Sequence, residues 1–302
     1  MTSARARRRS SRLAAVAGVL ALTACAQTPA QTRPQVQPEQ SSQQLTTQTA
    51  APTASDSSAS EAPTSAESTS ASTGSTTAAE CAAPPSGFVL QAPGEGKTVA
   101  LTFDDGPAYA DLQILKVLQR YDVKATFFET GANASENPDI VKALVDGGQL
   151  VADHSWDHQY PAAVNGGWTV KYLTSELTRT DDTLSAITGA PVCFYRPPGG
   201  YTDNVLKATA PLKLTAVMWS IDTEDWRQPS KTTSSATSAI VAAATKIGTQ
   251  THPIVLMHSG KASHEPDSAV SPNRSNTVAA LADIIDWYQA KGFTFVRMDG
   301  VS

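Results

Sequence analysis

The first 80 residues lack the side chains that build a folded core. All 19 aromatic residues and all five histidines of the 302-residue chain follow residue 80. The compact part is therefore about 220 residues long, which suits one domain with a single core and is too short for two or three. The chain beyond residue 25 also lacks a run of the roughly 18 apolar residues that a transmembrane helix needs.

Basic side chains are in deficit in the compact part. Residues 82–302 carry 17 basic and 23 acidic side chains, which gives a net charge of −6. A nucleic-acid-binding domain normally presents a basic face to the phosphates. We therefore expect no nucleic-acid partner.

Acidic residues are absent from the first 25 positions, where five arginines precede an uncharged stretch over residues 13–24. A charged start followed by a short apolar centre is typical of an export signal. The stretch ends in Leu22-Thr23-Ala24-Cys25, which is similar to the lipobox of bacterial lipoproteins. We predict a signal peptide over residues 1–24 and lipidation of Cys25. The alternative is an ordinary secretory signal cut at a nearby small residue, and both predict export from the cytoplasm.

Large apolar residues are scarce over residues 26–80, where 22 of 55 residues are Ser or Thr and Val36 and Leu45 are the larger aliphatics. This composition buries too little apolar area to offset the entropy of ordering. We predict a disordered tether over residues 25–80 that spans on the order of 40 Å. Our hypothesis is that it lifts the domain off a membrane into wall material, and a plain solvated spacer is the alternative.

From Lys97 onward, short β-branched or aromatic runs alternate with amphipathic stretches of helix length. The predicted strands are 98–103, 124–130, 150–154, 193–196, 215–221, 253–258 and 294–298. Three predicted helices with clear start or stop signals run from Asn137-Pro138 to Gly147-Gly148, over about 169–188, and over about 276–290. Seven alternations in residues 81–302 predict a single domain of parallel strands wound as a barrel or an open sheet.

Ionisable residues cluster where five of these strands stop. They are Asp104 with Asp105, His154, Arg196, Asp222 with Asp225, and His258. In a barrel of this type the chemistry gathers at the C-terminal ends of the strands. We therefore expect a functional site there.

Two histidines and two carboxylates in this cluster suggest a metal site. His154 and His158 are four residues apart, so a helical turn at the strand end would place both imidazoles on one face. Two histidines and one carboxylate from a neighbouring strand form a familiar catalytic zinc set. Asp104 and Asp105 would then have different roles, one binding the metal and the other acting as the base. An exposed histidine pair and a solvated Asp-Asp-Gly-Pro turn are the alternatives.

Two further strand-end residues have candidate roles. Arg196 can hold the carboxylate that does not bind metal ionised and oriented. His258 is a candidate general acid, because an acidic partner would raise its pKa towards that role. The alternative for His258 is a core histidine that bonds to the backbone.

Five motifs in order carry a resemblance to a known family. They are TFDDGP at 102–107, HSWDH at 154–158, RPP at 196–198, DTEDW at 222–226 and LMH at 256–258. Together they resemble the polysaccharide deacetylase family, whose members carry the NodB homology domain and form carbohydrate esterase family 4. The resemblance covers about residues 96–300, and its five ordered motifs are more specific than any one of them alone.

The resemblance implies a fold and a metal site. It implies a distorted (β/α) barrel of about seven parallel strands that hydrolyses N-acetyl, or sometimes O-acetyl, groups on polysaccharides. It implies Asp104 as the catalytic base. The implied ligands of a divalent metal, typically Zn²⁺ with Co²⁺ or another divalent ion as alternatives, are Asp105, His154 and His158.

The resemblance also implies the remaining roles. Arg196 would steady Asp104, and His258, tuned by Asp225, would protonate the leaving amine. The implied substrate contacts are Pro198, Gly199, Tyr201, Trp226 and Leu256. Gly199-Gly200 stands where many relatives have an aromatic residue, which puts one wall of the substrate groove in doubt. Ser259 stands where an acidic residue often follows the last motif.

The three cysteines divide into two groups. If Cys25 is lipidated, Cys81 and Cys193 remain, which is an even number in an oxidising compartment. We predict a disulfide between them that joins the N-terminal edge of the domain to the strand before Arg196. Two unpaired thiols are the alternative.

These patterns predict a metal-dependent polysaccharide N-deacetylase that acts as a monomer on the outer face of the cell membrane, facing the cell wall. GlcNAc of peptidoglycan is the favoured substrate, because the anchor and tether would place the domain beside it. Chitooligosaccharide, exopolysaccharide and acetylxylan are alternative substrates, and the last would make the protein an esterase. A non-catalytic glycan-binding lipoprotein and a hydrolase of small amides are alternatives of other classes.

Overall fold

A computed structural model describes residues 80–262, 264–268 and 270–302. The predicted signal peptide, the lipidation site Cys25 and all of the tether except Glu80 lie outside the described residues. Within the described ranges, no helix combines the length and the apolar character that crossing a bilayer requires.

The described residues form eight strands and seven α-helices in alternation. The strands are β1 Thr98–Gly106, β2 Thr126–Glu129, β3 Leu150–Asp153, β4 Phe194–Tyr195, β5 Thr215–Ala216, β6 Ile221–Asp222, β7 Ile254–His258 and β8 Thr294–Phe295. The helices are α1 Tyr109–Tyr121, α2 Gly131–Glu136, α3 Pro138–Asp146, α4 Val170–Thr188, α5 Val205–Thr209, α6 Ser234–Ala244 and α7 Ser275–Ala290.

Seven of these strands form a curled parallel sheet in the order β5-β4-β3-β2-β1-β7-β6, and β8 pairs in parallel with the start of β1. The central strand β1 is buried at all of its positions. On one of its faces, the Phe103 ring stacks on the Phe127 ring with centroids 5.0 Å apart. Burial of one such side chain stabilises the fold by about 1.5–3 kcal/mol. The predicted distorted (β/α) barrel of parallel strands is confirmed.

One predicted strand, 215–221, is wrong. The structure splits it into β5 and β6, which lie at opposite edges of the sheet. The Val217 N–H donates to the Tyr195 carbonyl (2.8 Å), and the Ser220 N–H donates to the Ile254 carbonyl (3.1 Å). Residues 217–220 therefore cross from the β4 side of the curled sheet to its β7 side. The apolar run in this segment resembles one strand because both of its halves are buried.

The three helices with sequence signals are confirmed. Helix α3 has Pro138 at its first position. Helix α4 begins after Thr169, whose Oγ1 accepts the Tyr172 N–H (3.1 Å), and ends at Gly189 with φ 71°. That left-handed conformation favours glycine. Helix α7 starts one residue earlier than predicted and ends at Ala290.

A disulfide joins Cys81 to Cys193, with Cα atoms 5.3 Å apart and a sequence separation of 112. It ties the start of the described domain to the residue before β4, the strand that leads into Arg196. A cross-link over a loop of this length removes conformational entropy from the unfolded chain.

Candidate active site

The C-terminal ends of the strands surround one pocket of about 180 Å³. Its wall includes both carboxylates from the end of β1, both histidines from the loop after β3, and His258 from the end of β7. The sequence analysis expected ionisable residues to gather at this end of the sheet, and the structure brings them together here.

A β-bulge at Asp105 turns two consecutive carboxylates towards the pocket. Asp104 pairs with Phe128 and Gly106 with Glu129, so Asp105 is the extra residue, and its φ is 71°. Side chains that follow each other on a regular strand point to opposite faces, and a bulge removes that restriction. Gly260 packs directly on this bulge, because a Cβ there would lie 2.0 Å from the Asp105 carbonyl oxygen.

The loop after β3 brings His154 and His158 together, with ring centroids 4.9 Å apart. The expected helical turn is wrong. Ser155 and His158 have φ values of 69° and 60°, and no helix is assigned between β3 and Pro161. Instead, the Asp153 carboxylate accepts the Ser155 N–H, and the Ser155 hydroxyl accepts the His158 N–H (3.1 Å). These side-chain contacts replace the hydrogen bonds of a helical turn.

Asp105 and the two histidines form a cluster that fits a divalent metal ion. Asp105 Oδ1 lies 3.4 Å from His154 Nε2 and 3.3 Å from His158 Nε2. That oxygen is buried and has no hydrogen-bond partner among the described residues. His154 Nδ1 donates to the Arg196 carbonyl (2.7 Å), which leaves its Nε2 lone pair for a ligand. A buried carboxylate oxygen without a donor is costly unless a cation satisfies it.

The protonation states in this cluster suit a metal. Burial alone would raise the pKa of Asp105, but His158 and His154 hold it well below its usual range. Burial lowers the pKa of His158 to about 3, although Asp105 opposes the shift. An ionised carboxylate and a neutral imidazole are the forms that bind metal.

Arg196 orients Asp104 from below the pocket. Its guanidinium is fully buried and donates to Asp104 Oδ1 (2.7 Å), to Thr102 Oγ1 (2.8 Å) and to the Met218 carbonyl (3.0 Å). The guanidinium also lies 4.1 Å from the centre of the Phe128 ring. A buried, charge-assisted pair of this kind fixes the carboxylate in one orientation. Asp104 Oδ1 is therefore held in place, while Oδ2 lies 3.6 Å from His154 Nε2.

His258, which lines the pocket, and the buried Asp225 form a second hydrogen-bonded pair. Asp225 Oδ1 accepts from His258 Nδ1 (2.7 Å), and Oδ2 accepts from the His258 N–H (2.8 Å) and from the Thr277 hydroxyl (2.7 Å). Burial lowers the pKa of His258, but the Asp225 carboxylate outweighs it and raises the pKa to about 9. Since Nδ1 is engaged by Asp225, Nε2 is the nitrogen that remains for the pocket.

Three of the five predicted substrate contacts, Gly199, Trp226 and Leu256, line the pocket. Pro198 is buried and does not line it, and Tyr201 lies outside its wall with 43% of its surface exposed. Four wall residues were not among the predicted site residues: Tyr160, Trp219, Glu265 and Val270. Trp219 belongs to the segment misassigned as one strand. Asp222, which the sequence placed at a strand end without a role, also lines the pocket.

The comparisons with known proteins point to one family. A family model described as polysaccharide deacetylase matches residues 91–217. A peptidoglycan-N-acetylglucosamine deacetylase of Bacillus cereus is 32% identical over 71% of this chain and 92% of its own length. A chitooligosaccharide deacetylase of Rhizobium leguminosarum is 32% identical over 68% of this chain and 91% of its own. A family 4 carbohydrate esterase from Streptomyces lividans, solved with acetate, is 31% identical with a TM-score of 0.54, over 66% of this chain and 92% of its own.

Proposed function

Since the chain belongs to the polysaccharide deacetylase family, we propose that its substrate is the N-acetylglucosamine of cell-wall peptidoglycan. The chain is a metal-dependent deacetylase of an acetylated polysaccharide. One observation carries the catalytic assignment: a ligand cluster, an oriented carboxylate and a charged histidine meet in a single pocket. Metal-assisted hydrolysis of an amide uses these three parts: a metal site, a base and an acid.

Asp105, His154 and His158 would hold the metal ion. Two imidazole nitrogens and one carboxylate favour Zn²⁺, and they leave coordination positions open for substrate and water. When bound, such an ion acts as a Lewis acid and lowers the pKa of a water molecule. The hydrogen bond from His154 Nδ1 to the Arg196 carbonyl orients one ligand towards the ion.

Asp104 would act as the base. Its Oδ1 accepts a hydrogen bond from Arg196, which holds the carboxylate in one orientation, and the side chain lines the pocket wall. It takes a proton from the attacking water as the new C–O bond forms at the acetamide carbon.

His258 would act as the acid. With Asp225 on Nδ1, the imidazole is protonated at neutral pH and gives its Nε2 proton to the amine nitrogen as the C–N bond breaks. The products are acetate and the free amine. Asp225 orients the ring from behind and does not touch the substrate.

The apolar side of the pocket would receive the acetyl methyl group. Trp226 and Leu256 line it, and the backbone of Gly199 faces the same space. A cavity of about 180 Å³ has room for an acetamido group. The Gly199 N–H is our candidate donor to the developing oxyanion.

The preference for peptidoglycan rests on location. The lipobox-like Leu22-Thr23-Ala24-Cys25 and the Ser/Thr-rich residues 26–80 support a lipid-anchored enzyme on the outer face of the membrane, facing the wall. The tether would give the monomeric domain its reach. Mass spectrometry of the membrane fraction tests the anchor: the mature N-terminal peptide should carry lipid on Cys25, and Cys25→Ala should release the protein.

A chitooligosaccharide substrate is the second candidate, because a relative with that name is equally similar over most of its length. Acetate release from peptidoglycan fragments, chitooligosaccharides and acetylxylan separates the substrates. We expect release from peptidoglycan fragments by zinc-loaded protein and none after chelation or in Asp104→Asn. Faster release from chitooligosaccharides would assign the second candidate, and no release from any substrate would favour a non-catalytic glycan-binding protein.

A further inference from the structure

A second group of metal-ligating side chains lies beside the first. His158, His264 and Glu265 each offer one ligand atom, and these atoms lie within 4.8 Å of one another. His158 is buried, Glu265 is half-buried on the pocket wall, and His264 is exposed. We propose that these three residues bind a second divalent ion, and that this ion inhibits the enzyme.

His158 can serve both sites because its two ring nitrogens have different surroundings. Nε2 lies 3.3 Å from Asp105 Oδ1 and belongs to the first cluster. Nδ1 is buried and has no hydrogen-bond partner among the described residues. An ion bound at Nδ1 would displace the proton of that nitrogen to solvent. It would also give a partner to this buried polar atom, which otherwise has none among the described residues.

Glu265 is held in place for a ligand role. Its Oε1 accepts the hydroxyl of Tyr160 (2.8 Å), which leaves Oε2 for an ion. Burial and the Glu265 carboxylate raise the pKa of Tyr160 well above its usual range, so this hydroxyl stays a donor. Lys261 donates to the Glu265 carbonyl and pairs with Asp267 (3.3 Å), which restrains the loop that carries Glu265. Contacts of this kind orient metal ligands in proteins.

His264 completes the group with small movements. Its ring lies 5.7 Å from the His158 ring and 5.4 Å from the Tyr160 ring, measured between centroids. Ligand atoms around Zn²⁺ lie about 2.0–2.2 Å from the ion, so a separation of 4.8 Å must shorten somewhat. His264 is exposed and can turn towards the other two ligands.

Inhibition follows from the position of this site, and it rests on the proposed function. The second ion would share His158 with the first and would bind Glu265, which lines the pocket for the acetamido group. It would therefore occupy substrate space and draw electron density from a ligand of the first ion. The first ion activates and the second inhibits.

The test counts bound zinc and measures acetate release on the same samples. Metal-free protein is titrated with Zn²⁺, and bound zinc is determined by equilibrium dialysis. For the wild type we expect two ions per chain, with activity rising on the first and falling at least tenfold on the second. His264→Ala should bind one ion, and its activity, normalised to its own maximum, should rise to a plateau.

His252→Gln is the matched control. His252 precedes β7 at the far end of the strands, where its Nδ1 bonds the Thr98 hydroxyl (2.8 Å), and it should keep both ions and the inhibition. One ion in the wild type, two ions without a fall in activity, or a second ion retained by His264→Ala would each overturn the proposal. No bound ion at any concentration would instead overturn the catalytic metal site, so the two failures are distinguishable.

Discussion

Two histidine–carboxylate pairs contribute to one pocket, and their surroundings shift the pKa values of the two histidines in opposite directions. His158 beside Asp105 has a pKa lowered to about 3, whereas His258 beside Asp225 has a pKa raised to about 9. Burial acts to lower the pKa of both imidazoles, so burial alone does not separate them. The difference between the two pKa values follows from the contacts that Asp105 and Asp225 make.

Asp225 and Asp105 differ in how their oxygens are satisfied. Asp225 accepts three hydrogen bonds, two of them from His258. Its negative charge therefore stabilises the protonated form of that ring. Asp105 Oδ1 lacks a hydrogen-bond partner within the described part of the chain and faces two imidazole nitrogens at once. The first arrangement makes an acid, and the second makes a cation site. Pairs of titratable groups with opposed pKa shifts are typical of active sites.

The largest expected effect comes from removing a ligand. His158→Ala should lower zinc affinity by more than about 100-fold, the upper end of the loss seen when a residue that hydrogen-bonds to a metal ligand is removed, and reduce acetate release to background. Bound zinc and activity are measured on the same preparation. An active variant that holds its full complement of zinc would refute the ligand assignment.

Asp104→Asn should separate the base from the metal site. Turnover should fall by about 10²–10⁴-fold, the usual contribution of a positioned base, while zinc stays bound. The asparagine preserves the shape and can still contact Arg196. If zinc is lost together with activity, the division of roles between Asp104 and Asp105 is wrong.

Asp225→Asn tests the acid. In the wild type, the His258 proton is present below about pH 9 and is lost above it, so kcat should fall on the alkaline side near that pH. Without the carboxylate, burial lowers the pKa, and the alkaline limb should move to lower pH. At pH 8 we expect a loss of about 10²-fold, the lower end of general acid catalysis. An unchanged alkaline limb in the pH–rate profile would exclude His258 as the group that titrates there.

The same pair should affect stability in a defined pH window. The pKa of His258 is higher in the folded chain than its ordinary value of 6.5, so its contribution is fully present below about pH 6.5 and is lost as pH rises through about 9. Chemical unfolding of the wild type and Asp225→Asn across this range measures it. The difference in unfolding free energy between the two proteins should shrink with rising pH, and a difference that grows would contradict the account.

Thr277→Val should have the smallest effect. It removes one of three donors to Asp225, which costs about 1.5–3 kcal/mol of stability, the usual contribution of a hydrogen bond to a charged group. The alkaline limb should shift in the same direction as in Asp225→Asn, but by less. Thr277→Ser keeps the hydroxyl and should behave as the wild type, whereas a shift in Thr277→Ser equal to that in Thr277→Val would contradict the role of the hydrogen bond.

The fold class and the location of the site were predictable because both depend on local patterns. Apolar runs, helix caps and glycine stops identified most strands and three helices, and the strand-end rule located the pocket. Asp104 and Asp105 could be named as a pair, but spacing alone did not say which binds metal. Their different contacts depend on the bulge and on Arg196, which lies 92 residues from Asp104 in sequence.

The features that sequence reasoning missed depend on long-range contacts. The segment 217–220 has the composition of a strand, yet its hydrogen bonds to β4 and to β7 make it a crossing between the two sides of the sheet. The four-residue spacing of His154 and His158 suggested a helical turn, but the Asp153 and Ser155 side chains bond the backbone instead. The hydrogen bond between Tyr160 and Glu265 joins residues 105 positions apart in sequence, so no local pattern predicts it.

The most direct test of this comparison is the protonation state of the two histidines in one sample. NMR of imidazole-labelled, metal-free protein at pH 7.5 reports each ring, with His158→Ala and Asp225→Asn used for assignment. The account predicts a charged His258 that loses its proton near pH 9 and a neutral His158 throughout the neutral range. Two rings that both titrate near pH 6.5 would contradict it.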